Sequence, residues 1–222
     1  MKITAVDFIF SLAADGFITP KIMYQLYRPH PWHGLTVGED APEIVQAYIE
    51  ITPFDMIKYE VDKQSGYLKV DRPQLTSSLP PTLYGFIPQT YCGDEIAALA
   101  GTPKGDGDPL DICVISERPI TKSEILLNGR VIGGLQLVDN NEADDKIIAV
   151  LANDGMWGEV NELADLPKIL VDRLVHYFST YKLIPGKEIK VSVDKIYDRT
   201  EAYAVIGAAR RDYEAKFGRT LD

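Results

Sequence analysis

From Glu43 onward the chain is cut into short runs of β-branched and aromatic residues separated by turn formers. The hydrophobic period becomes helical only late in the chain. Ile44–Ile51, Met56–Val61 and Tyr67–Val70 are the first runs, and the last two flank Asp62-Lys-Gln-Ser-Gly66, a good hairpin turn. Ile112–Ile115, Ile125–Val138, Ile147–Leu151 and Ile189–Tyr197 continue the series, with Gly129, Gly133 and Gly134 marking bends or bulges in the longest. Asp165–Phe178 then carries an apolar stripe at helical spacing, with Pro167 near its start, where proline is tolerated. Thr200–Glu214 opens on a capping residue and reads as a second helix. There is no βαβ alternation. The order predicts a mainly β, α+β fold: a small β-barrel with two C-terminal helices packed outside it.

Its 222 residues favour a single domain, large enough to bury a core without disulfide staples. Cys92 and Cys113 match no zinc or redox spacing and read as reduced, unreactive thiols of a cytoplasmic protein. The apolar runs fall well short of the ~20 residues that span a bilayer. Met1–Asp15 has Asp7 inside its apolar stretch and no small-residue cleavage site, so it reads as part of the fold and not as a signal peptide. Residues 1–41 form an extension that ends in the proline-rich Tyr27-Arg-Pro-His-Pro-Trp-His-Gly34. With 33 acidic against 23 basic residues, the net charge of −10 disfavours nucleic acid, whose binding rests on clustered cations. No membrane partner is expected either.

The acidic residues are not spread evenly. Asp106, Asp108 and Asp111 fall within six residues of Lys104-Gly-Asp-Gly-Asp-Pro-Leu-Asp-Ile-Cys-Val114. Carboxylates this close repel one another and need either solvent or a cation, and hard oxygen donors suit magnesium or calcium. An EF-hand loop would need glycine at its sixth position, where Asp111 stands. A Walker loop would need Lys followed by Ser or Thr, which is missing. An aspartyl-phosphate nucleophile would follow a hydrophobic strand, whereas here the strand comes afterwards. A second cluster, Asp139-Asn-Asn-Glu-Ala-Asp-Asp-Lys146, lies between two strand candidates. Alone it would pass for an exposed loop; with the first it suggests a shared metal site, with Lys146 placed to meet an anion.

Asp106-Gly-Asp-Pro-Leu-Asp111 resembles the signature of the family I soluble inorganic pyrophosphatases. Ile49-Glu-Ile51, Ile57-Lys-Tyr-Glu60, Ser65–Arg72, Tyr84-Gly-Phe-Ile-Pro88, Asp139–Lys146 and Tyr177–Lys182 agree in content and order, so the resemblance covers roughly residues 43–198. The wording, including His30-Pro-Trp-His-Gly34, is similar to the chlamydial-type branch. The resemblance implies a closed five-stranded OB-like barrel and a magnesium-dependent inorganic diphosphatase. It further implies Asp106, Asp111, Asp139 and Asp144 as ligands of several Mg2+ ions, Asp108 as general base, and Glu50 and Glu60 in support. Lys58, Arg72, Tyr84, Lys146, Tyr181 and Lys182 would contact phosphoryl oxygens, and the chain would form a homo-oligomer.

Two departures from the family pattern stand out. Pro80 replaces a tyrosine that many bacterial members carry near the leaving phosphate, and Tyr91–Gly105 is an insertion. The chemistry expected is in-line attack of a metal-bound hydroxide on pyrophosphate, because phosphoryl transfer needs positioning and charge, not a protein nucleophile. A non-catalytic divalent-cation-binding module is the alternative, but it leaves the lysines without a purpose. A nucleotide or polyphosphate phosphohydrolase would need a base- or sugar-binding groove, and no motif announces one. His30, His33 and His176 read as packing residues, and Trp157 as a loop anchor.

Overall fold

The computed structural model describes residues 28–184, 186 and 190–218. The expectations for Met1–Asp15, for most of the extension and for the start of the strand at Ile189 lie outside the described residues. Ten strands are described: β1 (Ile44–Ile51), β2 (Ile57–Val61), β3 (Leu68–Pro73), β4 (Leu83–Phe86), β5 (Lys104–Gly105), β6 (Asp111–Ile115), β7 (Ile125–Asp139), β8 (Glu142–Ala143), β9 (Lys146–Leu151) and β10 (Val191–Asp198). Three α-helices accompany them: α1 (Asp94–Ala100), α2 (Lys168–Thr180) and α3 (Arg199–Phe217). β1 pairs antiparallel with β4, β4 antiparallel with β6, β6 parallel with β9 and β9 antiparallel with β7. β7 then pairs antiparallel with β1, so the pairings run in a circuit of five strands. β10 extends β7 on one side, and β2 with β3 makes a separate two-stranded sheet.

The length of β7 lets one strand serve β1, β9, β8 and β10. Its register shifts between Val131 and Gly133, and Gly133 stands at φ +154, where a side chain would be strained. This is the bend expected from the glycines.

Both faces of the circuit are buried, which explains runs such as Lys146-Ile-Ile-Ala-Val-Leu151 that do not alternate. Ile112, Val114, Ile147 and Ala149 pack with Ala202, Val205, Ile206 and Ala209 of α3. Their neighbours Cys113, Ile148 and Val150 face Leu174, Tyr177 and Phe178 of α2. Pro167 stands at the N-cap of α2, and Asp198 caps α3 by accepting from the Glu201 N–H at 2.9 Å.

Several short elements were not foreseen, the two-residue strands β5 and β8 among them. β4 is only four residues long, and its Gly85 backbone lies so near Tyr48 that a Cβ would fall 1.9 Å from that carbonyl oxygen. The insertion carries α1, a third helix where two were expected, closed by Gly101 at φ 69.

Candidate active site

The loop between β5 and β6 is held at both ends by backbone. Lys104–Gly105 pairs parallel with Glu142–Ala143, and the Asp106 N–H donates to the Ala143 carbonyl at 3.2 Å. The two acidic clusters are therefore brought side by side by β5 and β8. Asp106 accepts from the Asp108 N–H at 3.0 Å, and Gly107 takes φ +78 between them. Cys92 clamps the same loop, donating to the Asp108 carbonyl at 2.8 Å and accepting from the Gly107 N–H at 3.1 Å. The second cluster turns through Asn140 and Asn141, both at positive φ, before β9 begins at Lys146.

These loops, β1, the β2–β3 hairpin and the end of α2 enclose a cavity of about 380 Å³. Of the thirteen residues singled out in the sequence, twelve line it: Glu50, Lys58, Glu60, Tyr84, Asp106, Asp108, Asp111, Asp139, Asp144, Lys146, Tyr181 and Lys182. Arg72 does not. It lies opposite Lys58 in the β2–β3 register and pairs with Asp71, whose carboxylate also meets Lys58 at 3.2 Å. Lys63, Glu142, Gln74, Trp32 and Tyr177 line the cavity without having been singled out for a role. Lys63 lies in a hairpin turn and Glu142 in an acidic loop, and nothing in their local spacing marks them further.

Electrostatics explain the arrangement. Counting Glu142 and Lys63, eight carboxylates and four lysines line the cavity. Lys146 is 1% exposed, and its ammonium lies between Asp111 and Asp144, while the Tyr84 hydroxyl donates to the same Asp111 oxygen. Lys182 pairs with Asp139, Lys58 with Glu60 and Lys63 with Asp108. Burial works against the charge of Lys146, but Asp111 and Asp144 outweigh it and hold its pKa well above the usual range. Burial, and then the charge of Asp144, push the Asp106 carboxyl up to about 9. Asp111 is raised as well, first by burial. Glu50 is pushed up to about 8 by burial, although its carboxylate accepts from the Val61 N–H at 2.6 Å. In all three acids burial is the largest cause. Among the described residues no group of three or more His, Cys, Asp or Glu side chains stands poised to hold a metal ion. Lysine ammoniums are interposed among the carboxylates instead.

The inorganic pyrophosphatase family model matches residues 47–214. The chain belongs to the inorganic pyrophosphatase family. It is 47% identical over 195 residues to the inorganic pyrophosphatase of Chlamydia trachomatis serovar L2, covering 83% of this chain and 93% of that protein. It is 36% identical over 177 residues to the soluble inorganic pyrophosphatase of Zea mays, covering 80% and 76% respectively. The crystal structure of inorganic pyrophosphatase from Thermus thermophilus superposes with a TM-score of 0.73 at 32% identity, covering 83% of this chain and 99% of that one. The mainly β fold with flanking helices is thus that of a pyrophosphatase. Every charged residue lining the cavity lies within the matched span, whereas Trp32 comes from the segment before it.

Proposed function

We propose that this chain is a magnesium-dependent inorganic diphosphatase that hydrolyses pyrophosphate to two phosphates. The observation that carries the reading is the convergence of the carboxylates and lysines of the matched span on one cavity. Asp106, Asp111, Asp139 and Asp144 are the residues that would hold magnesium. The donor set fits a hard cation: the lining residues offer eight carboxylates against four lysines, and no His or Cys. Bound there, magnesium supplies charge that makes an anion welcome in an acidic cavity and renders a coordinated water more acidic.

The chain's own groups account for the rest. Asp108, at the mouth, accepts the proton of the attacking water. Lys58, Lys146 and Lys182 neutralise phosphoryl oxygens, and each is already held in place by a carboxylate. The Tyr84 hydroxyl fixes Asp111, Tyr181 stacks on Tyr177, and Glu50 and Glu60 support the wall. Arg72 joins them by turning away from Asp71. Attack is in line and forms no phosphoenzyme, because a positioned water takes the place of a protein nucleophile. Phosphoryl transfer of this kind rests on positioning and charge.

The same reading takes the five-strand circuit as a closed OB-like barrel and the chain as one pyrophosphatase domain. It also takes the protein as a cytoplasmic homo-oligomer. Among the described residues no helix is long and apolar enough to cross a membrane. Exposed Phe54 and Met156 border an apolar groove that offers surface to another subunit.

The test is phosphate release from pyrophosphate with magnesium, with calcium and with EDTA, for wild type and Asp108→Asn. Release with magnesium that falls by about a hundredfold or more in the variant is expected. No release with any divalent metal would overturn the enzyme reading in favour of a cation-binding module. Faster release from ATP or tripolyphosphate than from pyrophosphate would overturn the substrate.

A further inference from the structure

The β2–β3 hairpin pairs with no strand of the main sheet, and its turn is fixed by contacts outside the cavity. The Asp62 carboxylate accepts from the Ser65 N–H at 2.8 Å and from its hydroxyl at 2.7 Å, and the Gly66 N–H donates to the Asp62 carbonyl at 2.8 Å. Gly66, at φ +73, rests on the corner of His30 and Pro31, where a Cβ would come within 2.9 Å of either ring. A turn tied at both ends presents Lys63, which lies between them, in a set direction. That direction is into the cavity, where the Lys63 ammonium meets the Asp108 carboxylate.

Four lysines line this cavity, and they are not equivalent. The side chain of Lys146 is 2% exposed, that of Lys58 23% and that of Lys182 34%, whereas that of Lys63 is 59% exposed. The first three are built into the wall. Lys63 reaches in from the rim, and its partner Asp108 is itself 46% exposed. An ion pair this open is held weakly, because water and salt screen it. A highly charged anion entering beside it offers the ammonium a stronger partner than one screened carboxylate.

This inference rests on the diphosphatase reading and deepens it. We propose that Lys63 is a further substrate-binding residue, whose ammonium leaves Asp108 for an oxygen of the phosphoryl group under attack when pyrophosphate enters. Because Asp108 is the group that takes the proton of the attacking water, the phosphoryl group nearest Lys63 is the one attacked. The exchange has two effects. It adds a cation where the cavity's carboxylates would otherwise repel the substrate, and it frees the base only once substrate is present.

The experiment is steady-state phosphate release by wild type, Lys63→Gln and Lys63→Arg at saturating magnesium and fixed ionic strength. Unfolding midpoints are measured alongside to confirm that the variants fold. Lys63→Gln is expected to raise KM about tenfold while kcat stays within about threefold, the pattern of a lost binding contact. Lys63→Arg is expected to recover most of the affinity, since the charge is retained. A KM in Lys63→Gln within about twofold of wild type, or a fall in kcat alone, would overturn the proposal. So would the lack of any recovery with arginine. Wild type that releases no phosphate would overturn the diphosphatase reading itself, and that result is seen before any variant is compared.

Discussion

The Asp212 carboxylate, on α3, accepts a hydrogen bond of 3.0 Å from the Gly93 N–H at the start of α1. Its two oxygens also take the N–H groups of Glu95 at 3.0 Å and Ile96 at 3.1 Å. The first turn of a helix leaves such donors without partners, and a negative charge there is favoured by the helix dipole. Cys92, the next residue back, clamps the Asp106–Asp108 loop. The insertion is thus a brace between the last helix and the acidic loop.

Removing the brace has a readable cost. Asp212 is 7% exposed, so Asp212→Ala leaves three backbone donors near the surface of the core without partners. A loss of about 2–3 kcal/mol is expected from a urea denaturation midpoint at unchanged slope. A change under about 0.5 kcal/mol would mean that α1 is held by its other contacts.

Gly105 gives a second handle on the same brace. A Cβ there would stand 2.2 Å from the Cys92 carbonyl oxygen, the atom that accepts from Gly107. Backbone, not a flexible side-chain end, has to give way. Gly105→Ala is therefore expected to lower kcat about tenfold or more by displacing Asp106 and Asp108, even where the protein folds. Unchanged kcat in folded protein would show that the loop tolerates the shift.

The Glu50 carboxyl, raised to about 8 by burial, sets a pH dependence for the metal-free protein. Between its ordinary value of 4.5 and about 8 the folded chain holds a proton that the unfolded chain has released. Its contribution is fully present below 4.5 and is lost as pH rises through about 8. Unfolding in EDTA should therefore show stability from this group falling with pH over that window. Glu50→Gln should flatten the profile, and an unchanged profile in that variant would sink the assignment.

The longer strands and both C-terminal helices were legible because period and turn formers announce them locally. β4 was not, since four residues around a glycine carry little pattern and the close approach to Tyr48 is visible only in three dimensions. α1 has an acidic first turn and a closing glycine, but seven residues set down as an insertion hid a two-turn helix. The acidic residues could be gathered from sequence because two short motifs carry them. Their being side by side depends on the β5–β8 pairing, to which only four residues contribute. Lys63 escaped notice for the opposite reason: it lies in a good turn, which already explains a lysine there. Arg72 pairs with Asp71 outside the cavity lining, an ion pair that no local motif announces.

Lys146 offers the most direct test of how the carboxylates are balanced. Its side chain is buried, with the ammonium among Tyr84, Phe178 and the two aspartates, so Lys146→Met keeps most of the packing and removes the charge. Without the ammonium, Asp111 and Asp144 face each other with no cation between them. In EDTA at alkaline pH, where protons are scarce, the variant should lose roughly 3–5 kcal/mol, the cost of breaking a buried pair by removing one partner. Magnesium can take the vacated charge, and a hundredfold excess over its Kd adds about 2.7 kcal/mol to any folded state that binds it. The vacated site should bind magnesium more tightly than wild type does, so the variant's gain at a given magnesium concentration should be the larger. Phosphate release should nevertheless stay reduced by about a hundredfold, because the lost ammonium also served the substrate. Denaturation curves with and without magnesium decide the matter. Equal gains for variant and wild type would mean that Lys146 and the cation do not share the same carboxylates, and the ligand assignment of Asp111 and Asp144 would have to be given up.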